Sequence, residues 1–320
     1  MQRRSLLVGF AALAAWPRNV AAQEQAPDLD WRPELSSPGY APASGPVILL
    51  DEAQDTLQTV AGRYAGFATL ARADGYRVEA LRQGFDAPGA LHGADILVIS
   101  NPRLSSSQRM GSAFSEEEIQ AVAAWVEQGG ALLLAVDHAP YGAAAEALGR
   151  RFGVSMGKGY AFQLAGADLT TNLVFPSPAL GDHPIMRGRT PSEAIGLVRT
   201  FTGQSISGPR SATVLLAMSD DALEAPDLTT LQAIRDRLRA GENAGLVTME
   251  MARPALSAQG LAFAFGAGRV VVLGEAGMLT AQMLRFSDGR APRLMGLNTS
   301  GHDDQQFALN LLHWLSRLLP

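Results

Sequence analysis

Residues 114–140 read FSEEEIQAVAAWVEQGGALLLAVDHAP, a stretch that predicts a helix, a buried strand and a sharp break in succession. Ser115 followed three residues later by Glu118 forms a capping box, which predicts a helix that starts at Ser115. Gly129-Gly130 end that helix. The apolar run 131–136 is typical of a strand buried on both faces, and the polar break begins at Asp137.

The same alternation of strand and helix extends on both sides of this stretch. Apolar runs predict strands at 47–50, 76–81 and 94–100, and helical spacing of apolar residues predicts helices at 63–74 and 142–152. Strands that are apolar throughout and alternate with helices form parallel sheets covered on both faces. The sequence therefore predicts an α/β fold of the flavodoxin-like type.

The second half of the chain is less regular but contains further β structure. Loop signals dominate 153–194, and a hairpin is expected at 261–273. We expect helices at 228–239 and near the C-terminus, and short strands at 195–201, 214–218 and 246–251. Because 320 residues suit one large α/β domain, we predict a single domain over 46–320 with an insertion at about 153–260.

The first residues predict export. Arg3-Arg4, the short apolar stretch 6–16 and small residues before Gln23 are typical of a cleavable signal peptide spanning 1–22. The adjacent arginines also fit a twin-arginine signal, so both export routes stay open. The expected location is periplasmic or secreted. Residues 23–45 are rich in proline and lack apolar periodicity, which predicts an extended linker.

Composition excludes several classes of function. The chain has no cysteine, which excludes cysteine nucleophiles, disulfides and thiolate metal sites. Its formal net charge of −5 becomes more negative once the three arginines of 1–22 are removed, and it has no basic run. We therefore expect no nucleic-acid partner. No other segment approaches the ~20 apolar residues of a membrane span, and no cofactor motif occurs.

Polar residues follow several of the predicted strands at the edge where parallel sheets bind ligands. The proposed catalytic residues are Asp137, His138, Glu275 and His302, and the proposed ligand-binding residues are Asp51, Asn101 and Asn298. Each also has a structural interpretation. Asp51 could cap a turn, and Glu275 could face a helix N-terminus.

Three stretches carry a resemblance to a known superfamily: 114–136, residues 182–188 (DHPIMRG), and 268–275 together with 305–315. They resemble the class I glutamine amidotransferase-like superfamily, in its non-amidotransferase branch of trehalose-utilisation-type and gliding-motility or intraflagellar-transport-type domains. In true amidotransferases the elbow after the strand carries the catalytic cysteine. Here Asp137 stands at that place, and a carboxylate cannot form the thioester of glutamine hydrolysis. The resemblance thus implies the fold without glutaminase activity.

Two classes of function fit these residues. The first is binding of a polar small molecule or a protein partner in the cleft at the strand ends. The second is a hydrolase in which Asp137 or Glu275 acts with His138 or His302. Asp51, Asp137, His138 and His302 could instead hold a divalent metal, although no ligand-spacing motif is present. Serine chemistry at 203–207 lacks the last glycine of Gly-x-Ser-x-Gly.

Overall fold

A nine-stranded sheet lies at the centre of the computed structural model, which describes residues 23–104, 111–249, 251 and 256–320. The export signal predicted for 1–22 lies outside the described residues. Three smaller sheets surround the central one, and none of the four closes into a barrel.

The strands are β1 Gln23–Pro27, β2 Val47–Asp51, β3 Arg77–Leu81, β4 Ile96–Ser100, β5 Ala131–Ala135, β6 Ser155–Met156, β7 Tyr160–Ala165, β8 Asp168–Thr170, β9 Asn172–Pro176, β10 Leu197–Phe201, β11 Ile206–Ser207, β12 Thr213–Ala217, β13 Leu223–Ala225, β14 Ala258–Phe265, β15 Gly268–Leu273, β16 Ala281–Phe286 and β17 Arg293–Gly296. The helices are α1 Ala65–Ala73, α2 Glu116–Glu127, α3 Tyr141–Arg151, α4 Pro184–Arg187, α5 Leu228–Arg239, α6 Ala244–Thr248 and α7 Asp304–Leu315.

Five neighbouring strands of the central sheet run parallel, in the order β3-β2-β4-β5-β15. The sheet continues antiparallel through β14, β11 and β6, and β12 also pairs antiparallel with residues 258–262 of β14. Because β2, β4, β5 and β15 point the same way, the residues that follow them meet at one edge of the sheet. The predicted α/β fold is confirmed.

Alternate residues of the parallel strands pack into separate cores on the two faces of the sheet. Ile48, Ile96 and Leu133 contribute to the core under α1 and α7. Their neighbours in sequence, such as Leu97 and Leu132, contribute to the core under α2 and α3. Burial on both faces explains why these strands are apolar throughout.

Two segments have a secondary structure that differs from the one predicted. Residues 246–251 were expected to form a strand, which is wrong, since 244–248 form α6 with the Asn243 side chain accepting a hydrogen bond from the Leu246 N–H. Leu246 is 63% exposed, so the apolar run there is not a buried strand. The loop signals at 153–194 are interrupted by four strands, β6 to β9, of which β9 alternates buried and exposed residues.

The segment predicted as an extended linker, 23–45, is attached to the domain. Strand β1 pairs antiparallel with β16, and the Asp74 carboxylate accepts a hydrogen bond of 2.6 Å from the Gly39 N–H. The second oxygen of Asp74 lies 2.7 Å from Nε2 of buried His313. Proline-rich sequence therefore produces here an extended segment held by backbone and carboxylate contacts.

In the part of the chain that the structure describes, no helix combines the length and apolarity needed to cross a bilayer.

The capping box at the start of α2 is formed as predicted. Ser115 Oγ accepts a hydrogen bond from the Glu118 N–H, and Glu118 Oε2 accepts one from the Ser115 N–H.

We expect Ser115→Ala to lower the free energy of unfolding by about 1 kcal/mol, because the first turn of α2 loses the Ser115 hydroxyl as an acceptor. Urea denaturation measures the change. Ser177→Ala, the same substitution at an exposed serine, is the control and should change it by less than about 0.5 kcal/mol. Equal effects of both substitutions would contradict the assignment.

Candidate functional site

Asp137, at the elbow after β5, makes three hydrogen bonds through its carboxylate and its N–H. Asn101 Nδ2 donates to Asp137 Oδ2 at 2.6 Å, and the Ala276 N–H donates to Asp137 Oδ1 at 3.0 Å. The Asp137 N–H in turn donates to Asn101 Oδ1 at 2.8 Å. Both carboxylate oxygens thus have donors from two neighbouring strand ends, so the side chain has a fixed orientation.

Asn101 can make this pair because of its backbone conformation. It directly follows β4 and has a φ of 43°, in the left-handed region where asparagine is more common than most residues. Its side chain is almost completely buried. The bend at the end of β4 therefore turns the Asn101 amide toward the next strand and not along its own.

Gln204 supports the elbow from the opposite side. Its Nε2 donates to the Val136 and Asp137 carbonyl oxygens at 3.0 and 2.8 Å. The neighbouring Ser205 is buried and donates to Glu224 Oε2. The segment considered for serine chemistry therefore supplies a structural amide, and its serine pairs with a carboxylate.

Glu275, which follows β15, is a buried carboxyl group beside Asp137. Its two oxygens accept hydrogen bonds from the Gly277 and Met278 N–H groups at 2.5 and 2.8 Å. Burial raises the pKa of Glu275 well above its usual range, and the negative charge of Asp137 raises it further. The site therefore combines a hydrogen-bonded carboxylate with a carboxyl group that favours its protonated form.

His138 is held with one ring nitrogen available. Nδ1 lies 2.7 Å from the Ala139 carbonyl oxygen, which can only accept, so Nδ1 carries the proton. In the neutral ring this leaves the lone pair on Nε2. The ring stacks on Tyr160 at 4.0 Å between centroids, and the Tyr160 hydroxyl donates to the same Ala139 carbonyl.

Asp137, His138 and Glu275 line one cavity of about 600 Å³. Further walls come from β1, the loop before α1, the first residue of α3, the β9–β10 pair, and β16 with β17. The residues of these walls could not be predicted from the sequence, since they come from loops, from the insertion and from β1, β16 and β17, and not from the ends of parallel strands. Three of the four proposed catalytic residues are thus brought together.

His302, the fourth proposed catalytic residue, lies in a separate buried network. Its Nε2 accepts a hydrogen bond from the Arg199 guanidinium at 2.7 Å, and its Nδ1 lies 2.9 Å from Asp304 Oδ2. Its side chain is 1% exposed. Both ring nitrogens are occupied, and the residue does not line the cavity.

The three proposed ligand-binding residues occupy three different settings. Asn101 contacts the site through Asp137. Asn298 Nδ2 donates to Asp28 Oδ2 and to the Gln282 carbonyl, so it fastens the N-terminal segment. Asp51 is completely buried, and its Oδ1 accepts from the Ala53 N–H. Asp51 and Asn298 do not line the cavity.

The four residues considered for a divalent metal do not form one ligand set. Across 23–104, 111–249, 251 and 256–320, no group of three or more His, Asp or Glu side chains is placed to hold a metal ion. Asp51 and His302 are buried away from the cavity that contains Asp137 and His138.

The fold and this cysteine-free elbow define an α/β domain with a ligand-sized cavity at the carboxyl ends of its parallel strands. The chain belongs to the family described as "Domain of unknown function (DUF4350)", whose model matches residues 64–297, nearly three quarters of the chain. No curated protein matches the sequence.

Solved structures share the fold at low sequence identity. The mmIFT52 N-terminal domain aligns with a TM-score of 0.56 at 12% identity, covering 84% of this chain and 97% of that one. A ThuA-like protein from Bacteroides uniformis ATCC 8492 aligns with a TM-score of 0.45 at 12% identity, covering 88% of this chain and 94% of that one. The predicted resemblance to intraflagellar-transport-type domains is confirmed at the level of the fold.

Two substitutions of Asn101 separate its hydrogen bonds from its backbone conformation. We expect Asn101→Gly to lower the free energy of unfolding by about 2–3 kcal/mol, because Asp137 loses both hydrogen bonds to the Asn101 side chain. Asn101→Ala should lower it by about 1 kcal/mol more, because alanine is strained at this φ. Urea denaturation provides both values. Asp55→Gly is the control at an exposed residue with a φ of 49°. An Asn101→Gly variant as stable as the native chain would contradict the role of the pair.

Buried Asp51 predicts a pH dependence of stability. Desolvation raises its pKa from 3.8 to about 7, so the folded protein keeps this carboxyl neutral while the unfolded chain ionises it. The resulting stabilisation is complete below about pH 4 and is lost as the pH rises to about 7, a change of about 4 kcal/mol.

Asp51→Asn removes this titration and keeps an acceptor for the Ala53 N–H. Relative to the native chain, the variant should therefore gain stability steadily between pH 4 and 7, as measured by urea denaturation across that range. The exposed substitution Asp30→Asn is the control and should give a constant difference. A constant difference for Asp51→Asn as well would show that Asp51 titrates normally.

Proposed function

We propose that this chain is an exported glutamine amidotransferase-like domain without the cysteine nucleophile, and that it binds a polar ligand in the cavity beside Asp137. One observation carries the proposal. The Asp137 carboxylate, which stands where the superfamily has its nucleophile, is already hydrogen-bonded by Asn101 Nδ2 and the Ala276 N–H. These donors withdraw charge from both oxygens, and so they make the group a fixed part of the cavity wall and a weak nucleophile.

The superfamily assignment is supported by the position of the elbow. Asp137 follows β5, which lies between parallel strands β4 and β15, and α3 begins four residues later. The same assignment is supported by the shared fold of the mmIFT52 N-terminal domain. Export is supported by the signal-like pattern of 1–22, with its paired arginines, short apolar stretch and small residues before Gln23. The protein would then work in the periplasm or outside the cell.

A hydrolase is the second candidate function, and a specific observation favours it. His138 presents the lone pair of Nε2 in the same cavity as Glu275, whose raised pKa keeps a proton available. A base and an acid of this kind are what general acid–base hydrolysis needs. In this alternative Asp137 would orient the substrate, and turnover would depend on His138.

The proposal excludes hydrolysis of glutamine. We expect the purified protein to release no more ammonia from glutamine than its Asp137→Ala variant does, because the elbow lacks a thiol that could carry the acyl group. A coupled ammonia assay measures this rate. Ammonia release that Asp137→Ala abolishes would contradict the proposal.

Chromogenic esters, glycosides and phosphate esters test the hydrolase alternative. If the protein binds its ligand without catalysis, the native protein and the His138→Gln variant release the chromophore at the same background rate. Native turnover that falls by about a hundredfold or more in His138→Gln would establish the alternative instead.

A further inference from the structure

Arg63 is a cation in the cavity wall whose side chain has no partner among the described residues. It lies in the loop before α1 and lines the same cavity as Asp137 and His138. Among the described residues, none forms a hydrogen bond or salt bridge with its guanidinium group, in contrast to Arg189, which pairs with Glu193 at 2.5 Å. A guanidinium offers a planar fork of donors that matches carboxylate and phosphate groups. Arg63 therefore points to an anionic group on the ligand.

Gln282 indicates independently that the ligand carries a hydrogen-bond donor. It is 2% exposed and lines the cavity, yet its Oε1 has no hydrogen-bond partner among the described residues. A buried acceptor without a partner destabilises a protein unless something else donates to it. The unpaired atom thus points to a ligand that carries a hydroxyl or another donor.

The orientation of the Gln282 amide follows from its neighbour. The Thr280 hydroxyl donates to the Gly277 carbonyl at 2.6 Å, so Thr280 Oγ1 can only accept from Gln282, at 2.7 Å. This assigns Nε2 to the threonine and leaves Oε1 as the unpaired atom. A flipped amide would place two acceptors against each other.

The other walls of the cavity fit a ligand with both polar and apolar parts. Phe201, Leu284 and Met295 supply apolar surface, and the side chains of Tyr141 and Asn172 supply further polar groups. A volume of about 600 Å³ is within the usual range for small-molecule sites. The space suits a compact molecule with several hydroxyl groups.

We infer that the cavity binds a small hydroxylated anion, a carboxylate or phosphate whose charged group pairs with Arg63 and whose hydroxyl donates to Gln282 Oε1. This inference rests on the proposed function, since it names the class of ligand for the same cavity. Galacturonate and glucose 6-phosphate carry this chemistry in its two forms. Glucose has the hydroxyl groups alone, and acetate and inorganic phosphate have the charge alone.

Isothermal titration calorimetry with these five probes tests the inference. We expect galacturonate or glucose 6-phosphate to bind the native protein at least about tenfold more tightly than glucose, because only these sugars pair with the guanidinium. Whichever of the two binds more tightly identifies carboxylate or phosphate as the anion.

Variants assign the contacts. Arg63→Gln should weaken binding of the charged sugar by about tenfold or more, while Arg210→Gln, which removes an exposed arginine outside the cavity, should leave it unchanged. Gln282→Met should weaken binding of the charged sugar but not of acetate or inorganic phosphate. Circular dichroism and the unfolding midpoint verify that each variant is folded.

Three results would overturn the inference: glucose binding as tightly as the charged sugars, no effect of Arg63→Gln in a folded variant, or no binding of either charged sugar. Other outcomes distinguish a failure of this inference from a failure of the proposed function. If the native protein binds glucose and a cavity-filling Asn172→Trp substitution abolishes this binding, the proposed binding role stands. Only the anionic group of the inferred ligand is then wrong. Hydrolysis that depends on His138 would remove the non-catalytic role and leave the ligand class standing.

Discussion

The hydrogen-bonded pair of Asn101 and Asp137 is the interaction on which the site depends. It joins the ends of β4 and β5, two adjacent parallel strands, at the edge where the cavity opens. The Ala276 N–H extends the connection to the residues after β15. Because three strand ends meet at one carboxylate, the position of Asp137 determines where the neighbouring His138 and Glu275 lie. The elbow at Asp137 therefore has a structural role, since it connects the ends of three strands.

This arrangement separates the structural and ligand-binding groups of the cavity. Asp137 has its hydrogen bonds from the protein, whereas Arg63 and Gln282 Oε1 have none from the described residues. Arg63 comes from the loop before α1 and Gln282 from β16, whereas Asp137 follows a parallel strand. The structural role of Asp137 is thus compatible with a cavity whose other groups recognise a ligand.

The central fold was predictable because its signals are local. Strands buried on both faces are apolar throughout, and the capping box of α2 marks its own start. Residues 246–251 were assigned to a strand because a short apolar run does not distinguish a strand from a helix, and exposure of Leu246 cannot be read from the run. The strands within 153–194 depend on pairing with distant segments, as β7 does with β13.

The candidate site was predictable only where it follows parallel strands. Asp137, His138 and Glu275 share a cavity because parallel strands end at one edge. The sequence does not show which way a side chain faces, so buried Asp51 and the His302 network were grouped with them. Arg63, Gln204 and Gln282 were missed because their roles depend on tertiary contacts. For Gln204 the only sequence signal was the neighbouring Ser205, whose hydroxyl pairs with Glu224.

A double-mutant cycle between Asn101 and Asp137 tests the structural role of the elbow most directly. The free energy of unfolding is measured for the native chain, Asn101→Gly, Asp137→Ala and the double variant. A carboxylate held by this asparagine predicts a coupling energy of about 1–3 kcal/mol, typical of a hydrogen bond to a charged group. Additive effects, within about 0.5 kcal/mol, would contradict the account, since Asp137 would then be free of the asparagine and available to react.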